Sequence, residues 1–234
     1  MGKNKLRHFA EMKTFSCVFE PSNEVLQNDE FPSKGKWHKH FQNTNPITVE
    51  LGCGKGEYTL ALAERYPQRN HIGIDVKGAR IWRGAKTAEE NQSANVAFVR
   101  SKIEFINSIF APNEIDEIWL TFSDPQPKDK KGTKRLSGDA FLKRYGRVLK
   151  KGGVIKIKSD SLFFFDATME TIQKGGHKLL RDQKDIYGAG REFLTEEERD
   201  ILSVKTFYEL KWLAEERTIN YMSFQLNDEY YQDI

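Results

Sequence analysis

A glycine-rich turn, followed along the chain by an aspartate, is the first feature of the sequence that can bind a ligand. Residues 50–57 read ELGCGKGE, with glycines at positions 52, 54 and 56. Glycines at this spacing let the backbone turn sharply and approach a ligand, because no Cβ stands in the way. Asp75 follows 19 residues after Gly56, where an acidic side chain can accept both hydroxyls of a ribose. A glycine turn alone can be a plain connection, but together with Asp75 it predicts a nucleoside site.

The residue at position 57 narrows the choice of ligand. Dinucleotide-binding loops have their third glycine three places after the second, and here that place holds Glu57. A carboxylate there would repel a pyrophosphate, which disfavours a nicotinamide dehydrogenase. S-adenosylmethionine satisfies the pattern, with its ribose at Asp75 and its ammonium group near Glu50 at the entrance to the turn.

The second candidate feature is the turn at residues 122–128, which reads FSDPQPK. Its two prolines fix φ on both sides of Gln126 and stiffen the turn, which places Asp124 at the mouth of the expected site. A carboxylate in that place can accept hydrogen bonds from the ring N–H and the exocyclic amine of guanine together, and this pairing selects guanine over adenine. Asp before Pro also commonly caps a helix or a turn, and that alternative stays open.

From Ile47 onward, short β-branched segments alternate with amphipathic segments of helical length. Strands are predicted at 47–51, 71–76, 95–100, 117–123 and 153–158, and helices near 57–66, 79–91, 103–109, 138–149 and 161–174. Strand-like runs at 204–213 and 217–226 predict a closing antiparallel hairpin. The expected fold is α/β and Rossmann-like: a mostly parallel seven-stranded sheet with helices on both faces and a C-terminal antiparallel hairpin. Such sheets bind ligands at the carboxyl ends of their strands.

The first 45 residues differ in character, since they are polar and lack a sustained apolar period. They are predicted to form a basic N-terminal arm, 1–45, followed by a single domain, 46–234. A chain of 234 residues with 38% hydrophobic residues buries a core without disulfides. The chain has only two cysteines, which predicts a reduced, cytoplasmic protein. Its Cys and His residues lack the spacing of a zinc site, and it has no apolar run of membrane-spanning length, so neither a metal nor a membrane is expected.

Basic charge is concentrated in one part of the chain, although the formal net charge is only +3. Between Lys128 and Lys151 there are ten basic and two acidic residues. Segregated basic charge suits a polyanion such as RNA, while a solvated helix face is the alternative. On the arm, Trp37, His38 and His40 can contact nucleotides, or Trp37 can simply anchor the arm.

Several of these features occur in a particular order. The glycine turn, Asp75 and the 122–128 turn are followed by KRL at 134–136, KSD at 158–160 and TFYE at 206–209. Over roughly residues 45 to 225 the chain resembles the bacterial tRNA (guanine-N7-)-methyltransferase family. The resemblance implies a class I methyltransferase fold. It also implies transfer of a methyl group from S-adenosylmethionine to nitrogen-7 of a guanine in tRNA, at position 46 of the variable loop.

Roles for individual residues follow from the glycine turn and from this resemblance. The predicted cofactor-binding residues are Glu50, Gly52, Gly54, Gly56, Asp75, Lys102, Ile103 and Asp124. Asp124 is also the predicted catalytic residue. The predicted tRNA-binding residues are Lys128, Asp160, Thr206, Phe207, Tyr208 and Glu209.

The chain also departs from the family pattern at three positions. The family usually has Phe-Pro-Asp-Pro-Trp where this chain has Ser123 and Gln126, so an aromatic ring for stacking on the base is missing. Lys102 stands where the family commonly has an Asp that reaches the adenine amino group, and Lys cannot accept that bond. Backbone groups near Ile103, or Glu104, are the candidates to replace it. An amino-directed nucleic-acid methyltransferase and a non-catalytic RNA-binding protein stay open as alternatives, as do a monomer and a homodimer.

Overall fold

The computed structural model describes residues 3–127 and 133–231, with side chains from residue 6 onward. The chain divides into two compact units, with the boundary between Ala111 and Pro112. Each unit contains four strands within the described ranges. No helix in these ranges is long and apolar enough to span a membrane.

The first unit is built on a parallel sheet. Its strands are β1 (Val18–Phe19), β2 (Ile47–Leu51), β3 (Asn70–Asp75) and β4 (Val96–Arg100). They lie in the order β1-β4-β3-β2, and every neighbouring pair is parallel. All residues of β2 and β3 are buried, as is typical of parallel strands that are covered on both faces. Asp75 lies opposite Arg100, so the carboxyl ends of β3 and β4 are level at one edge.

Helices surround these strands in the first unit. They are α1 (Lys3–Met12), α2 (Asn23–Gln27), α3 (Trp37–Phe41), α4 (Glu57–Arg65), α5 (Gly78–Glu90) and α6 (Ile106–Ile109), with a 3-10 helix at Ile103–Phe105. Phe98 on β4 is fully buried in the core formed by α1, α4, α5 and the strands.

The N-terminal segment is more ordered than its composition indicates. Its polar composition without an apolar period predicts no regular elements, but it contains three helices and strand β1, none of which was predicted. Trp37 is 0% exposed, its Nε1 donates to the Ile109 carbonyl at 3.3 Å, and its ring stacks on Phe110 at 5.7 Å. Trp37 is therefore an anchor and cannot stack on a nucleotide. The domain boundary at residue 45 stays a prediction.

The second unit combines one parallel strand pair with antiparallel strands. Its strands are β5 (Ile115–Thr121), β6 (Leu149–Ser159), β7 (Lys178–Gln183) and β8 (Asn220–Gln225). Its helices are α7 (Asp139–Tyr145), α8 (Leu162–Lys174), α9 (Glu196–Leu202) and α10 (Phe207–Ala214), with 3-10 helices at Arg191–Phe193 and Asp228–Tyr230. The order is β5-β6-β8-β7, with β5 and β6 parallel and β8 antiparallel to both β6 and β7.

The antiparallel pairing expected at the C-terminal end is confirmed, but one of its predicted strands is wrong. Residues 204–213 do not form a strand, since most of them belong to α10. Thr206 Oγ1 accepts a hydrogen bond from Glu209 N at 3.2 Å, and Glu209 Oε2 accepts one from Thr206 N at 3.4 Å. This reciprocal capping box starts a helix, and it outweighs the strand-like run of apolar residues. In place of the predicted strand at 204–213, β8 pairs with β7 as well as with β6, and β7 was missed by the sequence analysis.

Candidate active site

The glycine turn between β2 and α4 has the left-handed backbone that its composition predicts. φ is +82° at Gly52, +56° at Gly54 and +71° at Gly56. A Cβ added at Gly52 or Gly54 would meet no atom within 4 Å, whereas one at Gly56 would lie 2.6 Å from the Phe98 ring. The first two glycines therefore leave open space beside the backbone, and the third lets the turn pack on the core.

Asp75, at the end of β3, is bonded directly to this turn. Its Oδ2 accepts a hydrogen bond from Gly54 N at 3.0 Å, and its Oδ1 accepts one from Lys77 N at 2.7 Å. Asp75 is buried, with only 7% of its surface exposed. Because each carboxylate oxygen has two lone pairs, both oxygens keep capacity for a further donor such as a ribose hydroxyl.

Glu50 lies beneath the turn and adds a second negative charge. It is 3% exposed, and its Oε2 accepts hydrogen bonds from the backbone N, at 2.9 Å, and the hydroxyl of Thr59 on α4. Burial, reinforced by the charges of Glu50 and Asp75, raises the pKa of the Cys53 thiol well above its ordinary value. The turn therefore has a negative potential that favours a cation and opposes a diphosphate, and Cys53 stays a neutral thiol.

A cavity of about 360 Å³ opens beside the turn, within the size range of small-molecule sites. It is lined by Gly52, Asp75, Val76, Ser101, Lys102, Ile103 and Glu104. The structure thus brings together the glycine turn, Asp75 and the Lys102–Ile103 segment, which are far apart in sequence. Val76, which is 53% exposed, was missed by the sequence analysis, and it adds an apolar wall.

The segment after β4 shows how the site is built around Lys102. The Lys102 side chain is exposed, and its carbonyl accepts from Phe105 N, which starts the 3-10 helix at Ile103–Phe105. Ser101 N donates to the Asp75 carbonyl at 3.1 Å, which ties this segment to the end of β3. The first N–H groups of a helix have no partner within it, so the backbone at Ile103 and Glu104 presents donors, which can bond a ring nitrogen but cannot accept from an amino group.

In the second unit, Asp124 lies on a tight turn after β5. Its Oδ1 accepts a hydrogen bond from Gln126 N at 3.1 Å, and the residue is exposed. Phe122 and Gln126 have φ of +51° and +47°, a region that non-glycine residues seldom adopt. The turn-capping alternative is therefore correct for one carboxylate oxygen, while the carboxylate as a whole stays accessible. The hydroxyl of Ser123 is buried and lacks a hydrogen-bond partner among the described residues.

The basic run is less positive in the structure than in the sequence. Lys128 and the rest of residues 128–132 lie outside the described ranges. Three lysines of the run form ion pairs with acids: Lys143 with Asp139 at 2.9 Å, Lys150 with Asp116 at 2.6 Å and Lys151 with Asp228 at 2.8 Å. These pairs reduce the charge that this stretch offers to a polyanion.

The predicted tRNA-binding residues outside the basic run differ in exposure. Asp160 accepts a hydrogen bond from Arg217 Nη1 at 2.9 Å. Phe207 and Tyr208 at the start of α10 are 53% and 39% exposed, and their rings meet edge to face at 5.7 Å. Thr206 is 8% exposed and Glu209 is 0% exposed. The two aromatic rings can touch a ligand, whereas Thr206 and Glu209 form the cap of α10.

Glu209 also belongs to a buried ion pair that the sequence analysis missed. Lys158 Nζ lies 2.7 Å from Glu209 Oε1 and donates to the carbonyls of Leu202, at 2.7 Å, and Val204, at 2.8 Å. Tyr187 Oη donates to Glu209 Oε1 at 2.6 Å. Burial lowers the pKa of Lys158 to about 8, although the charge of Glu209 opposes this shift. The residue types alone do not signal the pair, because a lysine on a strand normally points to water.

Comparison with known proteins places the chain in a family. Residues 44–222 match a family model described as putative methyltransferase. The chain is 47% identical over 226 residues to the tRNA (guanine-N(7)-)-methyltransferase of Christiangramia forsetii, covering 96% of this chain and 99% of that protein. It is 45% identical to the protein of the same name from Bacteroides fragilis, covering 98% and 88%. The chain belongs to the tRNA (guanine-N7-)-methyltransferase family.

Solved structures agree with a class I methyltransferase fold. An antibiotic-related methyltransferase has a TM-score of 0.58 at 17% identity, covering 83% of this chain and 94% of that one. The 16S rRNA methyltransferase KamB has a TM-score of 0.60 at 12% identity, covering 82% and 93%. At these identities the likeness concerns the fold alone. The predicted fold class is therefore confirmed for this member of the tRNA (guanine-N7-)-methyltransferase family.

No group of three or more His, Cys, Asp or Glu residues within 3–127 and 133–231 is arranged to hold a metal ion. In this methyltransferase the residues suited to a cationic nucleoside, from Glu50 to Ile103, lie in the first unit. The residues expected to meet tRNA lie in the second unit, and their roles stay predictions.

Proposed function

We propose that this protein transfers a methyl group from S-adenosylmethionine to nitrogen-7 of a guanine in tRNA, giving 7-methylguanosine. The observation that carries the proposal is the glycine turn, open at Gly52 and Gly54 and held by Asp75, in a chain 47% identical to a tRNA (guanine-N(7)-)-methyltransferase over nearly its whole length. The family resemblance adds the variable loop as the place of the guanine.

The residues of the first unit fit this donor. S-adenosylmethionine, when bound, supplies a methyl group carried by a sulfonium cation. Asp75 accepts hydrogen bonds from the ribose hydroxyls, and the charges of Glu50 and Asp75 favour the cation. Val76 and Ile103 pack against the adenine ring, and backbone N–H groups at Ile103 and Glu104 donate to ring nitrogens of adenine, whereas Lys102 cannot accept a hydrogen bond from the adenine amino group.

The chemistry at guanine requires little from the chain beyond orientation. Nitrogen-7 has an in-plane lone pair and no proton, so it attacks the methyl carbon directly and no general base is needed. Holding the reacting atoms in line contributes roughly 7 to 11 kcal/mol to the barrier reduction. Asp124 accepts from the ring N–H and exocyclic amine of guanine, and its charge favours the cationic methylated base.

Recognition of tRNA is shared between basic and aromatic side chains. Lys128 and its basic neighbours bind backbone phosphates, and Asp160 contributes a polar contact to the tRNA. Phe207 and Tyr208 offer exposed rings on which an unpaired base can stack, in place of the aromatic residue that is missing at Gln126. With tRNA as substrate, we place the protein in the cytoplasm, where its two free cysteines stay reduced.

The test is incubation of the purified protein with labelled S-adenosylmethionine and unmodified bulk tRNA, followed by mapping of the labelled nucleotide. We expect strand cleavage after borohydride and aniline treatment at a guanine in the variable loop, because nitrogen-7 methylation makes that site labile. Label that resists this treatment would indicate an amino-directed enzyme. Binding of tRNA without any incorporation would indicate a non-catalytic RNA-binding protein.

A further inference from the structure

We propose that Arg135 is a positioning residue, which holds the turn of Asp124 in its working conformation and does not bind tRNA phosphate. The proposal rests on the proposed function, because it assumes that Asp124 orients the guanine. The position of Arg135 in the sequence, directly after Lys134 within the basic run, favours a phosphate contact instead.

The guanidinium of Arg135 is bonded to the backbone of the turn. Its Nε donates to the Pro125 carbonyl at 3.1 Å, and its Nη2 donates to the Gln126 carbonyl at 3.2 Å. The planar guanidinium offers donors in a fixed fork, so it can bond two successive carbonyls at once, which a lysine ammonium cannot reproduce with the same geometry. Arg135 therefore fixes the orientation of both peptide groups.

A second contact holds the guanidinium itself in place. It lies over the ring of Phe163 on α8, 5.0 Å from the ring centre. Such a cation–π contact orients the plane of the guanidinium. The side chain is half-buried, in contrast to Lys134, which is exposed.

The bonds continue from Arg135 to the carboxylate. Gln126 has a φ of +47°, which glutamine seldom adopts, so this residue needs external contacts to stay there. Its carbonyl is bonded to Arg135 and its N–H is bonded to Asp124 Oδ1 at 3.1 Å. Loss of the Arg135 bonds would free Gln126 to relax and would change the direction of the Asp124 carboxylate.

The experiment compares Arg135→Lys and Arg135→Ala with the matched control Arg191→Lys, at an exposed arginine outside the basic run. Measured quantities are kcat and KM for unmodified tRNA, the Kd of tRNA as a function of salt, and the Kd of S-adenosylmethionine. Arg135→Lys keeps the charge, so we expect an unchanged salt slope and donor affinity, with kcat lowered about 10- to 100-fold by misplacement of Asp124. Arg191→Lys should keep the kcat of the wild type.

A double variant distinguishes an effect of Arg135 through Asp124 from a merely structural role of Arg135. If Arg135 acts through Asp124, then Arg135→Lys in the Asp124→Asn background causes no further loss of kcat beyond that of Asp124→Asn alone. Multiplicative losses would overturn the proposal. So would a wild-type kcat in Arg135→Lys together with a salt slope that falls by about 1 in Arg135→Ala, which is the signature of a phosphate contact.

Folding is followed by thermal unfolding of each variant. If Arg135→Ala unfolds, Arg135→Lys carries the test, and global unfolding of both variants would overturn a local role. Failure of the proposed function gives a different result, because the wild type itself would then not methylate guanine nitrogen-7 in tRNA.

Discussion

Loss of the buried ion pair between Lys158 and Glu209 should lower the free energy of unfolding by a large amount. We expect Glu209→Gln to destabilise the protein strongly, because it removes the buried carboxylate that lies 2.7 Å from the Lys158 ammonium. Both side chains are 0% exposed, so water cannot replace the lost carboxylate. The substitution keeps the size of the side chain, and a glutamine oxygen still accepts from Thr206 N, so the capping box of α10 survives.

The magnitude follows from the bonds that remain. Removing one partner of a buried ion pair typically costs about 3 to 5 kcal/mol. In Glu209→Gln the ammonium keeps the Leu202 and Val204 carbonyls at 2.7 and 2.8 Å and the Tyr187 hydroxyl at 3.1 Å. These acceptors satisfy its protons but not its charge, which places the expected loss near the lower end, at about 3 kcal/mol.

The assay is urea unfolding of the full chain, followed by tryptophan fluorescence, for a complete double-mutant cycle. Lys158→Met should lose a similar amount, since it leaves the Glu209 carboxylate buried without its cation. The double variant Lys158→Met/Glu209→Gln has no buried charge, so it should be no less stable than either single variant. A loss below about 0.5 kcal/mol in Glu209→Gln, or single losses that add in the double variant, would refute the reasoning.

Three further predictions concern the glycine turn, Asp75 and pH. Gly56→Ala should lower the melting temperature more than Gly54→Ala, because only the former places a Cβ against Phe98, at 2.6 Å. Asp75→Asn should weaken S-adenosylmethionine binding about 10- to 100-fold in calorimetry, through loss of charged hydrogen bonds to the ribose. The pKa of Lys158 is lowered from 10.5 to about 8, so the unfolded chain binds more protons between these values, and stability should rise with pH there relative to Lys158→Met.

Each of these predictions has a control or a contradicting result. Equal melting temperatures for the two glycine variants would show that the Phe98 contact is not limiting. Glu90→Gln, at the exposed end of α5 and outside the cavity lining, should bind the donor within about twofold of the wild type. Parallel pH curves for the wild type and Lys158→Met above pH 8 would contradict the lowered pKa of Lys158.

The central strands could be predicted from sequence because their burial is uniform. Ile47–Leu51 was predicted with its observed bounds, and β3 and β4 lie within one residue of the prediction. Parallel strands covered on both faces are continuous apolar runs, so the pattern and the structure report the same property. β7 was missed because most of its residues are exposed and it has no period-two pattern to detect.

The site was predictable only where local backbone chemistry determines it. The glycine turn and Asp75 are found from spacing, because a left-handed turn at a strand end needs glycine. Two other contacts are encoded by no local pattern. Lys158 and Glu209 lie 51 positions apart, and Arg135 lies 9 to 10 positions from the carbonyls that it bonds in the turn of Asp124. The basic run placed Arg135 among the candidate phosphate contacts, and the family resemblance placed Glu209 among the tRNA-binding residues, a role that stays a prediction.

The charge of the glycine turn also bears on the release of product. Burial raises the pKa of the Cys53 thiol, and the charges of Glu50 and Asp75 add to this shift, so both carboxylates act on the inside of the turn. Methyl transfer converts the sulfonium into a neutral thioether, so the same carboxylates that favour the donor hold the product less strongly. The preference for the donor over the product therefore depends on the positive charge that the reaction removes.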